Sequence, residues 1–235
     1  MQSPILDLDL TNAAGRLLLT SDVHGAYDTF EAVLRDMDYD ADVDTVLIAG
    51  DLVDRGPDSP RCLEWIGTRR HALQGNHERF LQLVDDGRMD RADHIEDGGS
   101  WYHDLTPQER HRYRSVLTNL PLAARIRTRG GRHIGVVHAD AAGNDFGFFC
   151  SHLMRDDPNA ASIATLGRRR YHEVLAGRTV PSFRDMDHVF FGHTPVPEIL
   201  THANFTWIDT GLPHGRSTVI DVDQWLDGRR PRPER

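Results

Sequence analysis

The stretch Gly50-Asp51-Leu52-Val53-Asp54-Arg55-Gly56 places two carboxylates and a guanidinium between glycines. That set suits a metal-bound phosphate, with Asp51 as a hard oxygen ligand and Arg55 as a bidentate clamp on phosphoryl oxygens. Alone, the stretch is equally an ordinary turn or helix N-cap, because Asp, Gly and Pro57 are common loop residues. Its company changes that balance. Asp22 and His24 lie two apart, so on an extended segment they point to one side and can reach one ion together. Asn76, His138 and His193 each follow a short apolar run, and none of the six candidate ligands is Cys. Imidazole nitrogens with carboxylate and amide oxygens suit manganese, iron or zinc, whereas three histidines are poor ligands for calcium or magnesium alone. Six groups exceed one tetrahedral site and fit two ions that share a bridging carboxylate, for which Asp51 is the most central. Any single strand-end histidine is more often hydrogen-bonded than metal-bound, and His71, His94, His111 and His202 are read in that ordinary way. The constellation carries the argument, not any one member.

These residues need a scaffold that brings them to one edge. Arg16 to Thr20, Thr45 to Ala49 and His71 to Gln74 read as short buried strands, each running into a glycine-bearing loop with ligand-type residues. Phe30, Val33, Leu34 and Met37 recur at helical spacing over 26–37, Cys62 to Ile66 marks a second helix, and Phe80 to Val84 opens a third. Strand, loop and helix repeat three times, which is how a parallel βαβ sheet collects a site outside its strand C-termini. Residues 85–119 read as a helical insertion, with Thr106, Pro107 and Glu109 starting a helix. Leu122 to Thr128 and Arg132 to Ala139 form a strand pair turned at Gly130-Gly131. Residues 141–160 show no clear periodicity and read as a long surface loop. A basic helix spans Ile163 to Leu175, His188 to His193 is a further strand, and Phe205 to Asp209 and Ser217 to Val222 are final strands. The core thus runs from about 16 to 222, and 223–235 reads as a frayed tail.

A chain of 235 residues fits one large α/β domain, and 1–235 is read as a single catalytic domain. Met1 to Leu10 has no basic leader pattern, and no long uncharged apolar run follows, so no membrane association and a cytoplasmic location are expected. Cys62 and Cys150 are too few for a disulfide framework and read as reduced. The net charge of −9 argues against a nucleic-acid binder, and so against a nuclease.

The blocks Ser21-Asp22-Val23-His24-Gly25, Gly50 to Gly56, Gly75-Asn76-His77-Glu78, Val137-His138-Ala139 and Gly192-His193-Thr194 resemble, in order and spacing, the motifs of the phosphoprotein phosphatase family within the calcineurin-like metallophosphoesterases. The resemblance spans 18–211, with Ser21 standing where the family commonly has glycine. Asp97-Gly98-Gly99-Ser100-Trp101, Leu120-Pro121-Leu122 and Ile208-Asp209-Thr210-Gly211 further resemble the bacterial and phage lambda branch of serine/threonine protein phosphatases. The fold it implies is a four-layer α/β/β/α sandwich with a dimetal site at the strand C-terminal edge. It implies one metal held by Asp22, His24 and Asp51 and a second held by Asp51, Asn76, His138 and His193, most often manganese.

The resemblance also implies that Arg55 binds phosphate, that His77 protonates the leaving alkoxide, that Asp54 orients His77, and that a metal-bridging hydroxide attacks directly, without a phosphoenzyme. A second phosphate-binding arginine is assigned to Arg168, with Arg170 close behind, although three adjacent arginines also fit a solvated helix face. The implied substrate is a phosphoserine or phosphothreonine protein or peptide, with phosphotyrosine open. Two alternatives stand beside it. A symmetrical dinucleoside tetraphosphate hydrolase shares the metal motifs, but Asp54 and Glu78 fit that branch less well. A non-catalytic interaction module would be marked by a lost ligand, and all six positions are filled.

Overall fold

The computed structural model describes residues 3–211 and 218–229. Two sheets stack face to face. One has six strands in the order β1 (Ile5–Asp9), β5 (Ala123–Arg127), β6 (His133–Val137), β7 (His188–Phe191), β9 (Phe205–Trp207) and β8 (Leu200–His202). The other has four, in the order β10 (Ile220–Asp221), β2 (Leu17–Thr20), β3 (Thr45–Ile48) and β4 (Arg70–Ala72). Strands β2, β3 and β4 run parallel, connected through α1 (Tyr27–Asp36) and α2 (Ser59–Glu64).

Side-chain alternation explains the layering. Leu17, Leu19 and Leu47 face the other sheet and meet Ala124, Ile126, Ile134, Val136 and Phe190. Leu18, Val46 and Ile48 face the opposite way, onto Phe30, Leu34, Leu63 and Leu81 of the helices. Both faces of these strands are therefore buried, which is why they read as unbroken apolar runs rather than alternating ones. A third cluster packs β6, β7 and β9 under α7 (Phe146–Leu153), α8 (Pro158–Leu166) and α9 (Arg169–Leu175). Three apolar layers between two sheets and their flanking helices make the α/β/β/α sandwich. No helix among the described residues is long and apolar enough to cross a membrane.

Register decides where the loops emerge. Thr20 pairs Ile48 and Ile48 pairs Ala72, so the loops at 21–25, 50–56 and 75–78 leave the small sheet side by side. In the large sheet Val137 pairs Phe191 and Phe191 pairs Trp207, aligning the exits toward His138, His193 and Asp209. Helix α3 (Asn76–Asp85) begins at the third loop, and the segment after it carries α4 (Arg91–Glu96), α5 (Ser100–His103) and α6 (Pro107–Leu117).

Several sequence expectations are corrected. Residues 141–160 are not a surface loop: Asp145 accepts a hydrogen bond from Phe148 N and Asp157 from Asn159 N and Ala160 N, capping two helices. Phe146, Phe149, Cys150 and Leu153 form a buried stripe at spacings of 3, 4 and 7. The helix expected over 163–175 breaks at Gly167-Arg168, the residues between α8 and α9. Strand β1, outside the expected core, pairs parallel with β5, and β8 makes a hairpin with β9. The last expected strand narrows to Ile220-Asp221, with Ser217 outside the described residues. The frayed tail does not begin at 223. Helix α10 (Val222–Leu226) is capped by Asp221 and buries Val222 and Trp225, while 230–235 lies outside the described residues.

Candidate metal centre

The small sheet supplies the first half of the site. Asp22, His24, Asp51, Asp54 and Arg55 all have positive φ, between 47° and 70°, a conformation that disfavours any residue with a Cβ. Cross-loop hydrogen bonds hold them there: Asp22 N donates to Gly50 O, His24 N to Asp51 O and Gly25 N to Leu52 O, at 3.1, 2.8 and 2.7 Å. Glu78, fully buried, accepts from Asp51 N, Leu52 N and Gly75 N at 3.0, 2.7 and 2.7 Å, stitching the second loop to the third. Gly75 must lack a side chain, because a Cβ there would lie 2.1 Å from Asp51 Oδ1. The same oxygen accepts from His77 N at 3.0 Å. His24 donates Nδ1–H to Val53 O at 3.0 Å, which turns Nε2 toward Asp51 Oδ2 at 3.7 Å.

The large sheet supplies the second half. His138 donates Nδ1–H to Ala49 O at 2.7 Å, and its Nε2 lies 3.1 Å from Asn76 Oδ1 and 3.4 Å from Asp51 Oδ1. His193 N donates to Asp22 Oδ2 at 2.9 Å, and the Ser21 hydroxyl donates to the same oxygen. His193 Nε2 is buried without a hydrogen-bond partner among the described residues. All six sequence-derived ligand candidates are buried; Asn76 joins the cluster through His138, and Asp22 through the backbone N–H of His193.

Electrostatics fit this centre to cations. Burial would raise the Asp51 carboxyl, but the imidazoles of His138, His77 and His24 outweigh it and hold Asp51 well below the usual range. Burial, then Asp209 and Asp51, push Asp22 up, and burial together with Asp51 raises Glu78 to about 7. Burial lowers His24 to about 4 and His193 to about 3, so both imidazoles are neutral, each with one unprotonated ring nitrogen. His138 goes the other way: burial is overcome by Asp51, and it reaches about 10. Crowded carboxylates, the neutral imidazoles of His24 and His193 and an unpartnered buried nitrogen make a donor set for divalent cations, to which His138 would add its Nε2 by giving up the proton that Asp51 holds on it. Two groups of ligand atoms lie mutually within 4.8 Å: His24, Asp51 and His77, and Asp51, His138 and His193. Asp51 is common to both. His77 enters the first group by proximity, while its Nδ1 is already committed to Asp54 Oδ2 at 2.8 Å.

That bond leaves His77 Nε2 directed at the ligand cluster, 4.0 Å from Asp51 Oδ2. Burial works against a charged His77, but Asp51 and the Asp54 hydrogen bond prevail and raise its pKa. Arg55 donates from Nη1 to His24 Nε2 at 2.8 Å, so its guanidinium already lies over the ligand cluster. Arg168 is exposed, and its guanidinium reaches His193 O at 3.4 Å, at the edge of the centre. Arg170 is different. It is buried against Asp140 and donates to Ala141 O and Gly143 O, at 3.1 Å and closer still, as a structural brace.

Sequence reading missed part of the site. His94, placed among the ordinary histidines, is fully buried with Nε2 3.3 Å from Asp54 Oδ2, and Trp101 donates Nε1–H to Asp54 Oδ1 at 2.7 Å. Nothing in the polar run Asp90 to Asp97 marks His94 as buried. The clue available was the block Asp97 to Trp101, whose tryptophan and paired glycines sit in a polar segment. Asp209 is also buried beside Asp22, and nothing in the run Ile208 to Gly211 marks it as a neighbour of that carboxylate.

Comparison with known proteins gives this geometry a context. A family described as calcineurin-like phosphoesterase matches residues 15–197. Over 213 residues the chain is 27% identical to serine/threonine-protein phosphatase 1 of Salmonella typhimurium, covering 86% of this chain and 89% of that one. Over 128 residues it is 34% identical to a symmetrical bis(5'-nucleosyl)-tetraphosphatase of Delftia acidovorans, covering 52% of this chain and 43% of that one. A solved serine/threonine phosphatase structure from Saccharomyces cerevisiae superimposes with a TM-score of 0.58 at 15% identity, over 88% of this chain and 71% of that one, a likeness of fold.

Proposed function

We propose that this chain, which belongs to the calcineurin-like phosphoesterase family, is a two-metal phosphomonoesterase that dephosphorylates phosphoserine and phosphothreonine in proteins. The observation that carries the reading is Asp51, whose carboxylate is the shared corner of two buried nitrogen and oxygen clusters, with Arg55 and a carboxylate-held His77 beside it. Two divalent cations, manganese foremost and iron or zinc otherwise, held by Asp22, His24, Asp51, Asn76, His138 and His193, would supply Lewis-acid charge to phosphoryl oxygens and lower the pKa of water for attack.

The chain's own residues do the rest. Arg55 swings from His24 Nε2 to pair its forked N–H groups with non-bridging phosphate oxygens, and Arg168 adds a second cation at the His193 side. His77 holds a proton on Nε2, because Nδ1–H is engaged by Asp54 and the neighbouring carboxylates favour the imidazolium. A serine alkoxide is a poor leaving group, and a positioned imidazolium gives it the proton that it needs. The long match to Salmonella typhimurium serine/threonine-protein phosphatase 1 supports a phosphoprotein substrate.

The partial match to the Delftia acidovorans tetraphosphatase favours a second reading, a symmetrical dinucleoside tetraphosphate hydrolase. Asp54 and Glu78 weigh against it, since that branch resembles this chain less in the second half of the Asp51 motif and after Asn76-His77. One experiment separates them: purified protein with manganese, offered a phosphoserine peptide, a phosphotyrosine peptide, an aryl phosphate and a dinucleoside tetraphosphate in parallel. Preferred turnover of phosphoserine peptide is expected. Preference for the dinucleotide would replace the first reading with the second, and no turnover of any substrate would leave a non-catalytic module.

A further inference from the structure

Asp54 carries more donors than a partner for His77 needs. Oδ2 faces His77 Nδ1 at 2.8 Å and His94 Nε2 at 3.3 Å, and Oδ1 accepts from Trp101 Nε1 at 2.7 Å. The carboxylate is wholly buried, its residue sits at φ 70°, and its backbone N–H donates to Ser59 Oγ at 2.9 Å. It cannot rotate without breaking bonds on both oxygens.

His94 and Trp101 belong to α4 and α5 of the insertion, far in sequence from the loop they grip. His94 Nδ1 lies 3.0 Å from His103 Nε2. Facing a carboxylate, His94 Nε2 must be the donor, so in the neutral ring Nδ1 accepts from His103 Nε2–H. A chain therefore runs from His103 through His94 and Asp54 to His77. The same segment holds the next residue, since Arg55 N donates to Gly98 O at 3.1 Å. Gly99 is needed for the packing, because a Cβ there would lie 2.0 Å from the His94 ring.

We infer that His94 and Trp101 form a positioning clamp: they lock the Asp54 carboxylate in the rotamer that aims His77 Nε2 at the leaving oxygen. The insertion is thus part of the catalytic apparatus and not only a packing element. This rests on the phosphomonoesterase reading. Neither residue touches the reacting atoms. The clamp matters in proportion to how much the leaving group needs a proton, and it leaves the Arg55 grip on phosphate untouched.

The test measures kcat and KM over phosphate monoesters of graded leaving-group pKa, for the manganese-loaded wild type and for His94→Leu, His94→Gln and Trp101→Phe. His94→Leu should lower kcat on phosphoserine peptide by roughly 10- to 100-fold, a fraction of what positioned acid catalysis contributes. It should change dinitrophenyl phosphate turnover less than about 3-fold, with KM nearly constant, because only the protonated step is impaired. His94→Gln keeps an N–H near the Nε2 position and should recover most of the loss. Trp101→Phe should show the same asymmetry, and it decides the matter if His94→Leu does not fold. In the ¹H–¹⁵N spectrum, the Trp101 indole N–H should move upfield in Asp54→Asn, whatever the activity.

Equal losses across all leaving groups, or a Gln variant no better than Leu, would overturn the clamp. So would an indole resonance that ignores Asp54→Asn. A wild type that turns over no phosphomonoester would overturn the phosphatase reading and the positioning role with it, and the indole resonance would then report only the contact.

Discussion

The two sheets bring similar side chains to one centre with unequal shares of left-handed backbone, three ligands from the small sheet and one from the large. From the small sheet, Asp22, His24 and Asp51 arrive on left-handed backbone at φ values of 53°, 47° and 53°. Each such residue costs on the order of 1 kcal/mol, and the strain is offset by the ladder of bonds between neighbouring loops and by Glu78. From the large sheet, His138 comes off a strand end without that strain, and its ring is aimed by Ala49 O, an atom at the end of β3 in the other sheet. His193, from the same sheet, is left-handed at φ 62° and is held through its backbone by Asp22. The small sheet organises itself, and the large sheet's ligands are oriented by the small one. Left-handed backbone thus occurs at ligands from both sheets, at Asp22, His24 and Asp51 in the small one and at His193 in the large one.

The harshest way to break this comparison is at its centre. Asp51→Asn should nearly abolish turnover while the protein stays folded, because a neutral amide bridges two cations poorly and leaves their repulsion uncompensated. Kinetics and elemental analysis check it together, and an active, fully metallated variant would remove Asp51 from the bridging role. Exhaustive chelation should likewise abolish activity, with manganese restoring it, since nitrogen and oxygen ligands without thiolate hold such metals reversibly. Full activity in a metal-free sample would be decisive against a metallophosphatase.

The next variant keeps the ligands and removes the acid. His77→Asn should cost about 10²–10⁴-fold on phosphoserine peptide and clearly less on dinitrophenyl phosphate. Arg55→Ala should instead slow all phosphate monoesters similarly, because every one presents the non-bridging oxygens that it grips. A leaving-group series run on both variants distinguishes the two patterns.

The smallest expected effect lies at the opposite end of the same strands. Asp44, just before β3, accepts from Arg16 N at 2.7 Å and from the Arg16 side chain. Burial would raise its pKa, but the Arg16 hydrogen bonds win and hold it below the ordinary value. A carboxyl with a depressed folded pKa stabilises the fold above the unfolded value, near 3.9, and loses that contribution as pH falls through the folded one. Asp44→Asn should cost about 1–3 kcal/mol at neutral pH, flatten the loss of stability below about pH 4, and leave kcat unchanged. Denaturant titrations at several pH values read this. A large change in kcat would mean that the far edge of the small sheet is coupled to its loops.

Much of this molecule was legible in residue order. The three strand, loop and helix units of the small sheet follow from periodicity and from spacings of a few residues, because those encode local geometry directly. Helix α7 reads in sequence, wrongly, as surface loop: its buried stripe is a helical repeat, but the Gly, Asn and Asp residues around it mask the period. Tertiary structure alone decided the pairings between distant segments. Arg168 and Arg170 are two residues apart, and only the break between α8 and α9 sends one to the edge of the centre and the other into the interior against Asp140. His94 stands between Asp93 and Ile95, and Ile95 is the exposed one, so the local apolar pattern does not betray the burial of His94. It is buried because the insertion folds back over Asp54, a partner 40 residues away in the chain. Local patterns report which face of an element is apolar. Which carboxylate a buried donor will meet depends on the path of the chain between them, and that path is set by the packing of the whole fold.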